Sequence, residues 1–242
     1  NSILKDSSRN SFMIKRMEDL ADRTVWAMGE QLKCGDFVPF VFEHKFNMEV
    51  GDGDRKQLMS GTIDRVDICE NGTDVYVRII DYKTGKKDFN IVKTYYGIDI
   101  QLMVYMEAAM KLVAKMRPGK NVIPAGVFYY NISDPIVSAT TESAEEIEDK
   151  IKGELRLKGM VNSDKDIAEK MDNTEGTSLN IPVSRKADGG FDSRRSKVMN
   201  TEQFNILGRF VDVRAIDTAD RIAGGDIRRS PYKDGQFSSC DR

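Results

Sequence analysis

Residues 75–87 read VYVRIIDYKTGKK. The run is apolar enough for a buried strand, yet it ends with an acid and a base two positions apart, Asp81 and Lys83. Side chains alternate along a strand. Val75, Val77, Ile79, Asp81 and Lys83 therefore share one face, and Tyr76, Arg78, Ile80 and Tyr82 share the other. A carboxylate and an ammonium at the end of a core-facing row are either a plain ion pair or the start of a chemical site. The residues around the strand bear on that choice.

Immediately upstream, KQLMSGTIDRVDICE (56–70) reads as a second strand, and ENGTD (70–74) turns the chain back, Asn-Gly being a strong hairpin signal. Such a hairpin sets Asp64 beside Asp81 if its register allows. Two carboxylates in close approach repel unless a cation lies between them. Oxygen donors of this kind suit Mg²⁺ or Mn²⁺, which keep several waters and accept phosphate oxygens. A lysine at the rim can orient a water and stabilise charge developing on a phosphate. Together these parts describe metal-assisted phosphodiester hydrolysis.

Further out, residues 8–33 have helical spacing, with Phe12, Met17, Leu20, Val25, Met28 and Leu32 among their apolar positions. FVPFVFEHKFNMEV (37–50) reads as a first strand and GDGD (51–54) as a turn. Residues 92–116 read as the longest helix, IPAGVFYYNI (123–132) as a further strand, and 142–155 and 164–171 as polar helices. Residues 172–200 are rich in Asn, Gly, Ser and Arg and are expected to form a mobile loop or a poorly packed extension. A last amphipathic helix spans 200–225, closed by Gly224 and Gly225. The order predicts an α/β fold, a mixed central sheet flanked by helices, as one domain over residues 1–230 with a tail at 231–242.

The chain has 242 residues, 31% of them charged, and a formal net charge of −2. That length allows one sizeable core. No apolar run reaches the roughly 20 residues of a membrane span, so no membrane is expected. No secretory leader is visible, and the missing initiator Met suggests a piece of a longer protein. Neither GxGxxG nor a P-loop is present, so no motor of its own is expected. One histidine, His44, excludes a multi-histidine metal centre within the chain. Cys34, Cys69 and Cys240 have no CxxC spacing, which argues against a disulfide framework.

The spacing D-x16-D-x-K resembles the PD-(D/E)xK nuclease superfamily in its RecB-like form. GTIDRVD (61–67) matches that family's G-x-I-D-R-x-D strand, IIDYKTGKK (79–87) its DYK[ST]G strand, and QLMVYMEAA (101–109) its Q-x-x-x-Y helix. YYGIDIQLMVYMEAAM (95–110), PAGVFYYNISDPI (124–136) and RLKGMVNSD (156–164) further resemble the C-terminal nuclease domain of AddB-type subunits of bacterial AddAB helicase–nucleases. The resemblance covers the chain from about residue 10 onward. It implies the PD-(D/E)xK restriction-endonuclease-like fold and a Mg²⁺-dependent deoxyribonuclease. Such an enzyme cleaves single-stranded DNA delivered by an AddA-type helicase partner during double-strand-break repair in the bacterial cytoplasm.

Carried over by position, Asp64 and Asp81 are metal ligands, the backbone carbonyl of Tyr82 completes the metal shell, and Lys83 is the catalytic lysine. Gln101 and Tyr105, four apart on one helical face, position the DNA or the acids. Glu43 is a candidate additional acid, and Lys86 and Lys87 are candidate phosphate contacts. AddB-type subunits also carry a 4Fe–4S cluster on four cysteines. Cys240 fits the first of its C-terminal group, but the sequence ends two residues later, so no cluster is expected in this chain. The family's histidine-bearing helix has no counterpart, and His44 does not occupy its place.

Other readings stay open. Asp81 and Lys83 alone would suit a surface ion pair, and Asp67 and Arg65 read as structural. A catalytically silent DNA-binding or scaffold module, or a stand-alone RecB-like nuclease, shares the same fold.

Overall fold

A computed structural model describes residues 8–50, 56–138, 143–228, 231, 233–234 and 237–238. Helix α1 (Ser8–Lys33) leads into strand β1 (Val38–Val50), followed by β2 (Gln57–Asn71) and β3 (Asp74–Lys83). A short helix α2 (Ile91–Tyr95) and a longer α3 (Gln101–Met116) cross to β4 (Asn121–Asn131). Then come α4 (Ala144–Glu154), β5 (Lys158–Asn162), α5 (Lys165–Met171), β6 (Val198–Met199) and α6 (Thr201–Ala223). Lys233–Asp234 and Phe237–Ser238 pair as a separate small ribbon, β7 and β8.

The six strands β1 to β6 lie side by side in chain order. β1, β2 and β3 form an antiparallel meander; β3–β4 and β5–β6 are parallel, and β4–β5 is antiparallel. This is the mixed sheet expected. The alternation read for β3 also holds. Val75, Val77 and Ile79 bury against α3 and α6 through Leu102, Val113, Phe204 and Val211. Tyr76 and Ile80 bury on the other side with Ala27 of α1 and Ile167 and Met171 of α5. Helices thus cover both faces, which is why β3 reads as a nearly continuous apolar run. The β2–β3 hairpin closes through Gly72, at φ 59, and Thr73, with Asn71 and Asp74 paired across its mouth. The turn predicted at GDGD falls outside the described residues.

Three expectations need correction. Residues 92–116 are not one helix. The chain breaks at Gly97, at φ 76, and the Thr94 hydroxyl donates to the Asp99 carbonyl (2.9 Å) to close the break. Apolar residues continue through the break because Tyr95 of α2 stacks on Phe210 of α6, the helix that also packs on α3. β5, between the two polar helices, went unread as a strand; five residues are too few to show a period. Residues 172–200 are irregular but not loosely packed. Ile181 and Val183 are buried, and Asp172 accepts hydrogen bonds from the Ser178 hydroxyl (2.6 Å) and Asn180 (3.2 Å). The Arg185 guanidinium donates to the carbonyls of Ala168 and Thr174 (2.8 and 2.7 Å). These polar side chains add to scattered backbone bonds, such as Ser178 N–H to the Val183 carbonyl and Leu157 N–H to the Asn180 carbonyl, where a regular element would run a continuous ladder.

Gly159 of β5 has no room for a side chain. A Cβ there would come within 1.9 Å of the Val127 carbonyl oxygen and 2.9 Å of the Phe128 Cα, both backbone atoms that cannot rotate away. Gly159→Ala is therefore expected to cost about 1–3 kcal/mol or more, read as a lowered midpoint in chemical denaturation. An unchanged midpoint would mean that β5 is not held against β4 in this way.

Candidate active site

The pairing of β2 with β3 runs Val66↔Ile79 and Arg65↔Ile80, and its next step sets Asp64 against Asp81. The ladder stops there. Asp64 Oδ2 instead accepts the backbone N–H of Tyr82 at 2.7 Å, so a side chain stands where a strand carbonyl would. Asp81 is buried, only 2% exposed. Its Oδ1 accepts from Gln101 Nε2 at 3.2 Å, and Lys83 Nζ lies 2.5 Å from Oδ2. That ammonium is poorly aligned for a hydrogen bond, and Oδ2 has no other donor among the described residues. Burial pushes the Asp81 carboxyl above its ordinary range, and Asp64 adds to the rise by repulsion. Lys83, close by, pulls the other way without cancelling it.

Gln101 and Tyr105 open α3, one turn apart. The Gln101 amide donates to the Tyr105 hydroxyl (2.9 Å) as well as to Asp81. Tyr105 in turn packs edge-on against Phe46 of β1, ring centroids 5.7 Å apart. The helix break at Gly97 aims the first turn of α3 at the end of β3. Four of the five predicted catalytic residues, Asp81, Lys83, Gln101 and Tyr105, therefore join in one chain of contacts. Asp64 meets it through the Tyr82 backbone.

Glu43 is placed differently. Phe42 pairs with Arg65 and His44 with Ile63, so Glu43 lies across from Asp64, exposed and at φ 47. Both strands lose step there. The inward row on β1 changes from Val41 to Phe46 and Met48, and on β2 from Ile63 to Val66. A non-glycine residue in the left-handed region is strained. Among the described residues no three acidic, histidine or cysteine side chains gather as a metal site, so Glu43 does not join the two aspartates. Lys86 is exposed; Lys87 is half-buried and paired. Cys240, and with it the incomplete iron–sulfur ligand set, falls outside the described residues. Cys34 and Cys69 are free thiols, held above their ordinary range by burial.

Sequence reasoning missed one cluster. Asp99, buried in the turn before α3, accepts the Tyr129 hydroxyl (2.8 Å) and pairs with Lys87 Nζ (3.2 Å). Lys83 and Lys87 both lie over the Tyr129 ring, at 5.7 and 5.5 Å from its centroid. Burial, followed by Asp99, holds the Tyr129 hydroxyl protonated far above its usual range. Tyr129 is the β4 neighbour of Asp81. The signal was the aspartate two residues before Gln101, which no period or motif distinguished from a helix-start acid.

The donor set fits a divalent cation. Two repelling carboxylates, one with a buried oxygen lacking an aligned donor, offer hard oxygen ligands. The Gln101 contact gives a direct test. Gln101→Leu removes the amide that orients Asp81. It is expected to lower cleavage about 10–100-fold, as loss of a group that orients a metal ligand does, with the fold intact by circular dichroism. Unchanged turnover would remove Gln101 from the site.

A sheet ending in an acid and an acid-x-lysine, faced by a glutamine–tyrosine helix, defines a nuclease of one class. The family model of the PD-(D/E)XK nuclease superfamily matches residues 2–242, and the chain belongs to that superfamily. Within it, the chain resembles the B subunits of bacterial ATP-dependent helicase/deoxyribonucleases. It is 36% identical over 250 aligned positions to the one from Clostridium botulinum (strain Hall), covering 99% of this chain and 22% of that protein. The corresponding protein of Caldanaerobacter subterraneus subsp. tengcongensis is 37% identical over 249 positions (98% and 21%). That of Thermoanaerobacter sp. (strain X514) is 34% identical over 249 positions (98% and 21%). The chain thus spans about a fifth of the length of these relatives. No helix among the described residues is long and apolar enough to cross a membrane.

Proposed function

We propose that this domain hydrolyses phosphodiester bonds of single-stranded DNA with Mg²⁺ or Mn²⁺. We further propose that it works beside an AddA-type helicase subunit in double-strand-break repair. The observation that carries this reading is the buried Asp81 carboxylate, held by Gln101 on one oxygen and meeting Lys83 on the other. A structural ion pair has no use for an oriented amide and a second, repelling carboxylate.

Asp64, Asp81 and the Tyr82 carbonyl would hold the divalent ion. When bound, it supplies Lewis-acid polarisation of the phosphate and offsets the repulsion between the two aspartates. Lys83, released from Asp81 Oδ2, would orient the water for in-line attack and stabilise charge building on the phosphate. Gln101 keeps Asp81 from rotating away. Tyr105, braced by Phe46, keeps Gln101 in place.

The test is cleavage of labelled single-stranded DNA by the chain with Mg²⁺ and with EDTA. Cleavage is expected only with the metal, and metal-independent cleavage would overturn the reading. The pH dependence has a definite sign. Asp81 must be ionised to serve as a ligand, and its carboxyl is shifted upward. Protons should therefore compete with the metal: at limiting Mg²⁺ the acid limb of cleavage should lie above the ordinary aspartate range near 3.9 and move down as Mg²⁺ is raised. An acid limb that does not move with Mg²⁺ would remove Asp81 from the metal site.

A further inference from the structure

Beyond the end of β3 lies a cleft of about 570 Å³. Its floor and walls come from residues 84–88, the end of β4, the start of β5 and Lys197 before β6. Five basic side chains line it against two acidic ones, in a chain whose net charge is −2. The excess is local and selects anions.

The cleft continues the catalytic face. Asp81 is the β3 neighbour of Tyr129 on β4, and Tyr129 pairs with Lys158 on β5. Residues paired across neighbouring strands project to the same side, so Asp81, Tyr129 and Lys158 stand in one row. Two inter-strand steps put the Lys158 backbone roughly 10 Å from that of Asp81. Lys158 is half-buried and has no carboxylate within ion-pair distance among the described residues. Burial and Arg156 both make its charge harder to hold. Arg156 donates to the Ser178 carbonyl (3.3 Å), while its buried Nε has no partner among the described residues. Lys197 reaches Asp88 at 2.5 Å across the mouth.

The cleft is also pre-formed. The Asn131 side chain accepts from the Lys87 N–H (3.0 Å) and donates to the Lys87 carbonyl (2.9 Å), and the Ile132 N–H donates to the Lys83 carbonyl (2.8 Å). The loop that follows the lysine of the site is thereby stitched to β4.

We propose that this cleft seats the phosphodiester backbone of the DNA strand next to the bond being cut, with Arg156, Lys158 and Lys197 as its phosphate contacts. The proposal rests on the reading of the site as a DNA nuclease and adds the track along which the strand lies. Asp88 competes with the strand for Lys197.

Binding of a short labelled oligothymidylate in EDTA, followed by fluorescence anisotropy at several salt concentrations, tests this without cleavage. Lys158→Gln with Lys197→Gln should weaken binding several-fold and reduce the slope of log K against log salt by about 1.4, at about 0.7 per phosphate contact. Lys158→Arg combined with Lys197→Gln should restore about half of the loss, one contact of the two. Asp88→Asn, at an exposed position, should tighten binding. Unchanged affinity and slope in the double variant, with Asp88→Asn neutral, would overturn the cleft while leaving the nuclease reading intact. Absence of DNA binding by the unaltered chain would overturn both. Displacement of the oligonucleotide by stoichiometric thymidine 5′-monophosphate would make the cleft a nucleotide site and overturn the strand track.

Discussion

Asp81→Ala and Lys83→Ala are each expected to lower Mg²⁺-dependent cleavage by about a thousandfold, the scale of losing one group that acts on transition-state charge in a water-poor site. The two should differ in metal binding. Asp81→Ala removes a proposed ligand oxygen and the anchor of Gln101, so calorimetric Mg²⁺ binding should disappear. Lys83→Ala removes the ammonium 2.5 Å from Asp81 Oδ2 and leaves that oxygen free, so metal binding should persist or tighten. Cleavage surviving both substitutions would remove these residues from the site. Loss of metal binding in Lys83→Ala would recast the lysine as a structural support for Asp81.

Asp67→Ala is expected to be the most damaging substitution for stability. Asp67 is wholly buried between two guanidiniums. Its oxygens accept from Arg65 at 2.6 and 2.8 Å and from Arg78 Nε at 2.9 Å. Arg65 also reaches the Tyr82 hydroxyl (3.5 Å), and Arg78 lies 4.9 Å from the centroid of the Phe37 ring. Without Asp67, two buried cations face each other unpaired. Breaking such a pair costs about 3–5 kcal/mol, which at this chain length lowers Tm by roughly 10 °C. Arg78→Met should cost far less. Arg78 is the surplus cation, its charge already disfavoured by burial, and its removal leaves Arg65 and Asp67 paired. Calorimetric unfolding of both variants decides it; equal losses would mean that the three residues act as one inseparable unit.

This triad lies on the opposite face of the sheet from Asp64 and Asp81. One strand motif, GTIDRVD, therefore serves two ends: Asp64 at the candidate site, and Arg65 with Asp67 in the layer beneath. A double-sided burial pattern separates them. In the sequence the three charged residues stand within four positions of one another; the motif and strand alternation set Asp64 apart from Arg65 and Asp67, but neither shows that Arg78 of the next strand completes a buried triad with them.

The face assignment of β3 was legible in the residues alone, because strand alternation is a local geometric rule. So was the Gln101–Tyr105 pairing, because four residues make about one helical turn. The hairpin that carries Asp64 toward Asp81 followed from a single Gly turn. Long-range packing settled what these rules do not reach. The break at Gly97 directs α3 at β3 and buries Asp99 against Tyr129, contacts between residues 30 apart that no period encodes. The compact 172–200 segment is held by side-chain and backbone bonds to distant parts of the chain, so composition alone reads it as loose. The row from Asp81 through Tyr129 to Lys158 joins three strands from three parts of the chain. Alternation says which way a side chain points, but only strand order and register say which side chains end up next to one another.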